Sequence, residues 1–312
     1  MMIFLLWSLS LLSSGWACLW ESIPPCSCRP IGTRTTEVTC TGAISVDELQ
    51  NSLIRVQGQP IQTLFVMDSS LLYFPSDVFM GLKVEKLHLF NSTLADLTDS
   101  EEAFEGLGKS LKTLVIEECT ILNGLRWEEL KNLKNLTTLK TVKANLNAID
   151  SDISEIAHLN LDNLELIQDS ISYIDDKAFA PFQNLKVLSL KRNYISEVKR
   201  SMLPSPATKL AVINLSYNQI EMLPSDIFED MPQLTYVILS ANELATIDQT
   251  TFSPVWRQLK KLDLLDNPMR CDCRMKWMLG LQYPINTWAN CALPPFLNGT
   301  SIVDLRREQL TC

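Results

Sequence analysis

The stretch Lys209–Pro224, KLAVINLSYNQIEMLP, sets Leu210, Ile213, Leu215, Asn218 and Ile220 in the pattern L-x-x-L-x-L-x-x-N-x-L. A unit with this spacing cannot bury its own apolar face, but stacked copies share one continuous core and form a solenoid. The centre of the stretch, Asn214-Leu215-Ser216, is also an acceptor sequon for N-linked sugar. In such a unit Asn214 points out of a short strand onto the inward face, where stacked arrays bind partners. A glycan and a partner would then compete for the same surface.

Laid along the chain, the pattern recurs nine times, starting at Ile61, Val84, Leu111, Leu136, Leu161, Leu185, Leu210, Leu234 and Leu259. The steps are 23, 27, 25, 25, 24, 25, 24 and 25 residues, inside the 20–29 window of leucine-rich repeats. The units LKVLSLKRNYI, LAVINLSYNQI, LTYVILSANEL and LKKLDLLDNPM match closely, and the first five are looser. Positions 4 and 6 alternate inward from a short strand and stack on their neighbours. At position 9, Asn193, Asn218, Asn242 and Asn267 turn the chain and satisfy buried backbone groups. A second apolar set places Phe79, Phe104, Phe179, Phe228 and Phe252 on the outer side. The prediction is an α/β solenoid: a curved horseshoe of leucine-rich repeats with a parallel sheet on its concave face.

Nine cysteines fall into two groups of four plus one. The odd one, Cys119, sits at the asparagine position of the third unit. An intermolecular disulfide is one use for it; a buried, inert substitute for asparagine is the plainer one. Cys18, Cys26, Cys28 and Cys40 lie ahead of the repeats. Cys271, Cys273, Cys291 and Cys312 follow them, within Asn-Pro-x-x-Cys-x-Cys-x-x-x-Trp (Asn267, Pro268, Trp277), then Pro294, Leu297, Gly299 and Leu310. The two clusters resemble the N- and C-terminal cysteine-rich caps of animal extracellular leucine-rich-repeat proteins. That resemblance implies the pairs Cys18–Cys28, Cys26–Cys40, Cys271–Cys291 and Cys273–Cys312, and a non-covalent binding function. Spacing alone leaves three connectivities per set. A metal site built on the C-x-C pairs is disfavoured by the lack of nearby histidine and by the cap match. No cofactor is implied.

The expected organisation is a signal peptide over residues 1–17, a front cap over 18–60, repeats over 61–266 and a back cap over 267–312. Residues 3–12, IFLLWSLSLL, are apolar and uncharged, and Gly15 and Ala17 suit cleavage after Ala17, although no Lys or Arg precedes the apolar run. That run is too short to span a bilayer, which takes ~20 residues, and no second one follows. The expectation is a secreted, extracellular glycoprotein with sequons at Asn91, Asn135, Asn214 and Asn298. A net charge of −9 and pI near 4.9 argue against binding nucleic acid by bulk charge. Only 10 glycines and no low-complexity tract argue against disorder and fibrous structure.

No catalytic motif surrounds either histidine, His88 or His158, so an enzyme is not expected. Binding suits the architecture better. Position 5 of successive units reads Phe65, His88, Val115, Lys140, Glu165, Ser189, Asn214, Ile238 and Asp263. Position 7 reads Met67, Phe90, Glu117, Val142, Ile167, Lys191, Ser216, Ser240 and Leu265. Phe65, Met67, Phe90, Val115, Val142 and Ile167 therefore gather on one face as a contact patch for a protein partner: a receptor, a matrix protein or an immune target. The phenylalanines Phe65 and Phe90 are expected to meet as one anchor. His88 is a candidate ligand or pH-sensitive contact, although a histidine there is more often a solvated surface group. The charges alongside (Glu117, Glu118, Lys140, Lys143, Glu165, Lys191, Arg192) read as a solvated ladder of cross-strand pairs. Rival readings are a self-assembling matrix component and a non-catalytic subunit of a secreted complex.

Overall fold

A computed structural model describes residues 22–31 and 35–312. The proposed signal segment and Cys18 lie outside the described residues. Each of the nine units begins with a strand, from Pro60–Met67 and Lys83–Phe90 through Thr113–Glu117, Thr138–Val142 and Asn163–Ile167 to Lys261–Asp263. Successive strands pair in parallel and without slippage: Leu64, Leu87, Leu114, Leu139, Leu164, Leu188, Ile213, Val237 and Leu262 form one column. A slip of one residue would turn that apolar column to solvent, so burial specifies the register even in the looser units.

The core lies between this sheet and the outer connections. All of the column just named is buried, and so are Phe79, Phe104, Phe179, Phe228 and Phe252. Rings meet along the outer wall: Phe79 lies 5.6 Å from Phe104, and Phe228 lies 5.4 Å from Phe252. Outer connections of this kind are short 3-10 turns such as Trp127–Leu130 and Ser151–Ile156.

The asparagine ladder works as the spacing requires. Asn193 Nδ2 donates to the carbonyls of Leu166 (2.8 Å) and Leu190 (2.9 Å), while its Oδ1 accepts from the amides of Asp169 (2.9 Å) and Ile171 (3.1 Å). Asn218, Asn242 and Asn267 repeat the donor pair on their own turns. In the first units hydroxyls stand in. Ser69 Oγ donates to Met67 O at 2.8 Å and Ser92 Oγ to Phe90 O at 2.9 Å. Cys119 occupies the same rung, buried, with Sγ 3.3 Å from Glu117 O, and burial pushes its thiol pKa up.

One feature of the unit has no signature in the sequence. Position 8 is left-handed in all nine copies: Asp68, Asn91, Glu118, Lys143, Gln168, Arg192, Tyr217, Ala241 and Asp266 have φ between 44° and 60°. This residue turns the chain out of the strand before the ladder rung. None is glycine, the residue that pays least strain there.

At the front, Cys26–Ile31 runs antiparallel to Thr35–Thr41, which pairs in parallel with the first repeat strand. The helix Val46–Ile54 follows, its Ser45 hydroxyl accepting from Glu48 N at 3.2 Å. Cys26 and Cys40 face each other across the hairpin and are bonded; Cys28 is also disulfide-bonded. At the back, Cys271 is bonded to Cys291 and Cys273 to Cys312. The back cap docks through Trp277, whose Nε1 donates to Ile247 O (2.9 Å) and whose ring meets Trp256 edge-on at 4.9 Å.

Candidate functional site

The strands that stack the core also fix the inner face, because alternate side chains point the other way. Met67 lies opposite Phe90, His88 opposite both Phe65 and Val115, and Val142 opposite both Glu117 and Ile167. Five of the predicted contact residues, Phe65, Met67, Phe90, Val142 and Ile167, are half-buried on this face. Val115 differs. It lies between His88 and Lys140 but is only 6% exposed, and it offers a partner little surface.

His88 departs further from expectation. Its side chain is 17% exposed and is not a solvated surface group. The imidazole lies 5.4 Å from the Phe65 ring and 6.2 Å, edge-on, from Phe90. It therefore links the two phenylalanines through its own ring; the expected direct meeting of Phe65 with Phe90 is replaced by a three-ring cluster. Nε2 is 3.0 Å from Glu117 Oε2. Burial lowers the imidazole pKa, and the hydrogen bond to Glu117 opposes that shift without reversing it. A neutral ring bonded to a carboxylate must carry its proton on Nε2.

The expected ladder of cross-strand charges is mostly absent among the described residues. Lys143 pairs with Glu118 at 2.5 Å, but Lys140 makes no ion pair with Glu165 although the two are register partners. Lys191 and Arg192 sit over the Tyr217 ring, at 5.5 and 4.8 Å, in place of acidic partners.

The sequons occupy distinct settings. Asn214 lies mid-sheet between Ser189 and Ile238, and its Oδ1 accepts from Ser216 Oγ (2.7 Å), the sequon hydroxyl. Asn91 is exposed at a left-handed position and donates to Asp68 Oδ1 (2.7 Å). Asn135 and Asn298 are exposed in connections.

Sequence reasoning missed one inner-face residue. The sheet continues into the back cap as Asn286–Trp288, which sets Trp288 beside Asp263 with Lys261 Nζ 4.3 Å over its ring. The segment carries no leucine pattern, so only the pairing reveals it. The remaining histidine, His158, is exposed, its ring nitrogens facing the carbonyls of Glu155 (2.9 Å) and Lys131 (2.8 Å). Asp272, Cys273 and Cys312 cluster as metal ligands would, but the two sulfurs are bonded to each other and are not thiolates.

The fold and this inner face define a leucine-rich-repeat solenoid. A family described as Leucine rich repeat matches residues 208–269. The chain is 32% identical to Toll-like receptor 9 of Mus musculus over 162 residues, 47% of this chain and 16% of that protein. It is 29% identical to leucine-rich repeat and fibronectin type-III domain-containing protein 4 of Rattus norvegicus over 143 residues, 43% of this chain and 22% of that one. The chain thus matches less than a quarter of the length of either relative. Among solved structures, TLR13 in complex with ssRNA13 superposes with a TM-score of 0.61 at 21% identity, over 72% of this chain and 31% of that one. Among the described residues no helix is long and apolar enough to cross a membrane.

Proposed function

We propose that this chain is an extracellular, non-enzymatic binding protein that recognises a protein partner through the first five units of its concave face. The observation that carries the reading is the half-buried apolar surface of Phe65, Met67, Phe90, Val142 and Ile167, aligned by the strand register on a rigid sheet. A preformed platform loses little conformational freedom on binding. The later units present the polar Asn214 and Ser240 on the same face, with Ser189 buried beside Asn214, and a glycan on Asn214 would cover this half. Cleavage after Ala17, the cap boundaries at residues 60 and 267, and glycans at Asn91, Asn135, Asn214 and Asn298 belong to the same reading. The RNA in the TLR13 complex is that protein's ligand; a chain of net charge −9 has no bulk attraction for phosphate.

The test is affinity capture from native extracellular fluid with wild-type protein and with Phe65→Ala/Phe90→Ala. Aromatic anchors commonly account for about 2 kcal/mol or more on truncation, about thirtyfold in Kd. The double variant should be secreted at wild-type level and lose the principal partner, while Asn214→Gln should lose one glycan and keep it. Capture unchanged in the double variant would remove the reading.

A further inference from the structure

Several charges around the first units are paired within the chain. Lys112 pairs with Glu85 at 2.6 Å, Lys143 with Glu118 at 2.5 Å and Arg29 with Glu37 at 2.5 Å. Glu117 accepts a hydrogen bond from the neutral His88 ring and keeps its charge. On the inner face itself Glu117 and Glu165 keep their charge, and two lysines have no acidic partner. Lys86 stands two residues before His88, between Thr63 and Thr113 on the neighbouring strands. Lys140 stands between Val115 and Glu165. Among the described residues neither lysine pairs with a carboxylate, the adjacent Glu165 included. Both are close enough to His88 to disfavour its protonated form.

The two ammonium groups therefore lie beside the Phe65–His88–Phe90 cluster, in a chain that is acidic overall. A partner that covers this floor must desolvate or accommodate both cations, which is unfavourable unless it brings the opposite charge. A neutral or basic surface would leave them unpaired.

We propose that this site takes an acidic protein segment: an apolar side chain seated on Phe65, His88 and Phe90, with carboxylates reaching Lys86 and Lys140. The proposal rests on the reading of this face as a protein-binding site and adds the chemistry of the partner. Five strands ~4.8 Å apart span about 19 Å, a distance that about six extended residues cross. The Glu117 carboxylate, bonded to His88 on the strand between those of the two lysines, and Glu165 beyond Lys140 limit the site to a few acidic groups, placed against Lys86 and Lys140.

The probes are immobilised synthetic peptides of about ten residues, each with the same Leu-Phe centre and flanked by Glu, Gln or Lys. Wild-type protein should bind the Glu set about fivefold to tenfold more tightly than the Gln set, with the Lys set weakest and the preference fading as salt is raised. Lys86→Gln/Lys140→Gln should bring the Glu set down to the Gln level. Lys86→Glu/Lys140→Glu should invert the order in favour of the Lys set, a gain that misfolding cannot produce. Phe65→Ala/Phe90→Ala should weaken all three sets together. Equal binding of Glu and Gln sets would overturn the acidic partner and leave the apolar site standing. Binding of no set, or no effect of the phenylalanine variant, would remove the underlying site and the inference with it. Heparin bound as tightly as the Glu set by the phenylalanine variant would assign an anionic saccharide instead, and would also overturn the proposal.

Discussion

Asp169 occupies the rung that asparagine fills in the four following units, and it is wholly buried. Two neighbours accommodate it there. The preceding rung is Ala144, which has no amide to offer, and the preceding core position is Thr141 instead of an aliphatic residue. Asp169 accepts from Thr141 Oγ1 (2.5 Å) and from Ala144 N (2.7 Å), so it completes the ladder from one unit away. Burial nonetheless raises its pKa from 3.8 to about 6, the hydrogen bonds opposing the shift. A carboxyl whose folded pKa is raised costs stability when ionised. Its contribution is therefore most favourable below pH 3.8 and is lost as pH rises through about 6, a change on the order of 3 kcal/mol. Asp169→Asn should remove that pH dependence and raise stability near neutrality by about 1–3 kcal/mol. Its amide would share Leu166 O with Asn193, just as Leu190 O is shared by Asn193 and Asn218. Denaturant midpoints from pH 4 to 8 check this; parallel profiles for wild type and variant would contradict it.

Within one repeat, the left-handed residue at position 8 and the ladder rung at position 9 act together. The first reverses the chain at the strand end and the second ties the freed carbonyls to the neighbouring turn. Ala241 isolates the first effect, since its side chain is a methyl and its φ is 56°. Glycine relieves left-handed strain at some cost in unfolded-state entropy. Ala241→Gly should therefore raise the thermal midpoint, by an equivalent of about 0.5–1 kcal/mol, and the β-branched Ala241→Val should lower it by more. Differential scanning calorimetry decides between them, and a midpoint lowered by glycine would show that no strain is held there. The second effect predicts that Asn218→Ala, which orphans the amide of Ile195 and leaves the carbonyls of Leu190 and Leu215 with one asparagine donor each instead of two, costs about 1–3 kcal/mol.

Across the whole molecule, stability is a chain of nearest-neighbour interfaces, so the open ends are the weak points. The back cap covers one end with Met269, Met275, Met278 and the Trp256–Trp277 contact, closed by Cys271–Cys291 and Cys273–Cys312. Loss of a native disulfide typically costs ~2–5 kcal/mol. Cys273→Ser should sharply reduce secretion from cultured cells, whereas Cys119→Ser, a buried rung without a disulfide, should leave it nearly unchanged. Equal losses would show that Cys119 does more than fill its rung.

The sequence by itself determined the repeat and its phase. Leucines at positions 1, 4 and 6 and asparagine at 9 are periodic, and a pattern that must be buried once per turn leaves one register in which every unit is satisfied. Even the loose units obey it, because Ser69, Ser92 and Cys119 can each serve a rung. The sequence also placed Phe65, Met67, Phe90, Val142 and Ile167 on one face. It did not reveal how that face is finished. Whether His88 is solvated or wedged between two rings, whether Val115 is open or covered, and which lysines find acids depend on side chains 23 to 29 residues apart. Those contacts are made across strands, by size and reach, and carry no period. Tertiary packing alone decided them, and with them which two lysines of the inner face are left without an acidic partner.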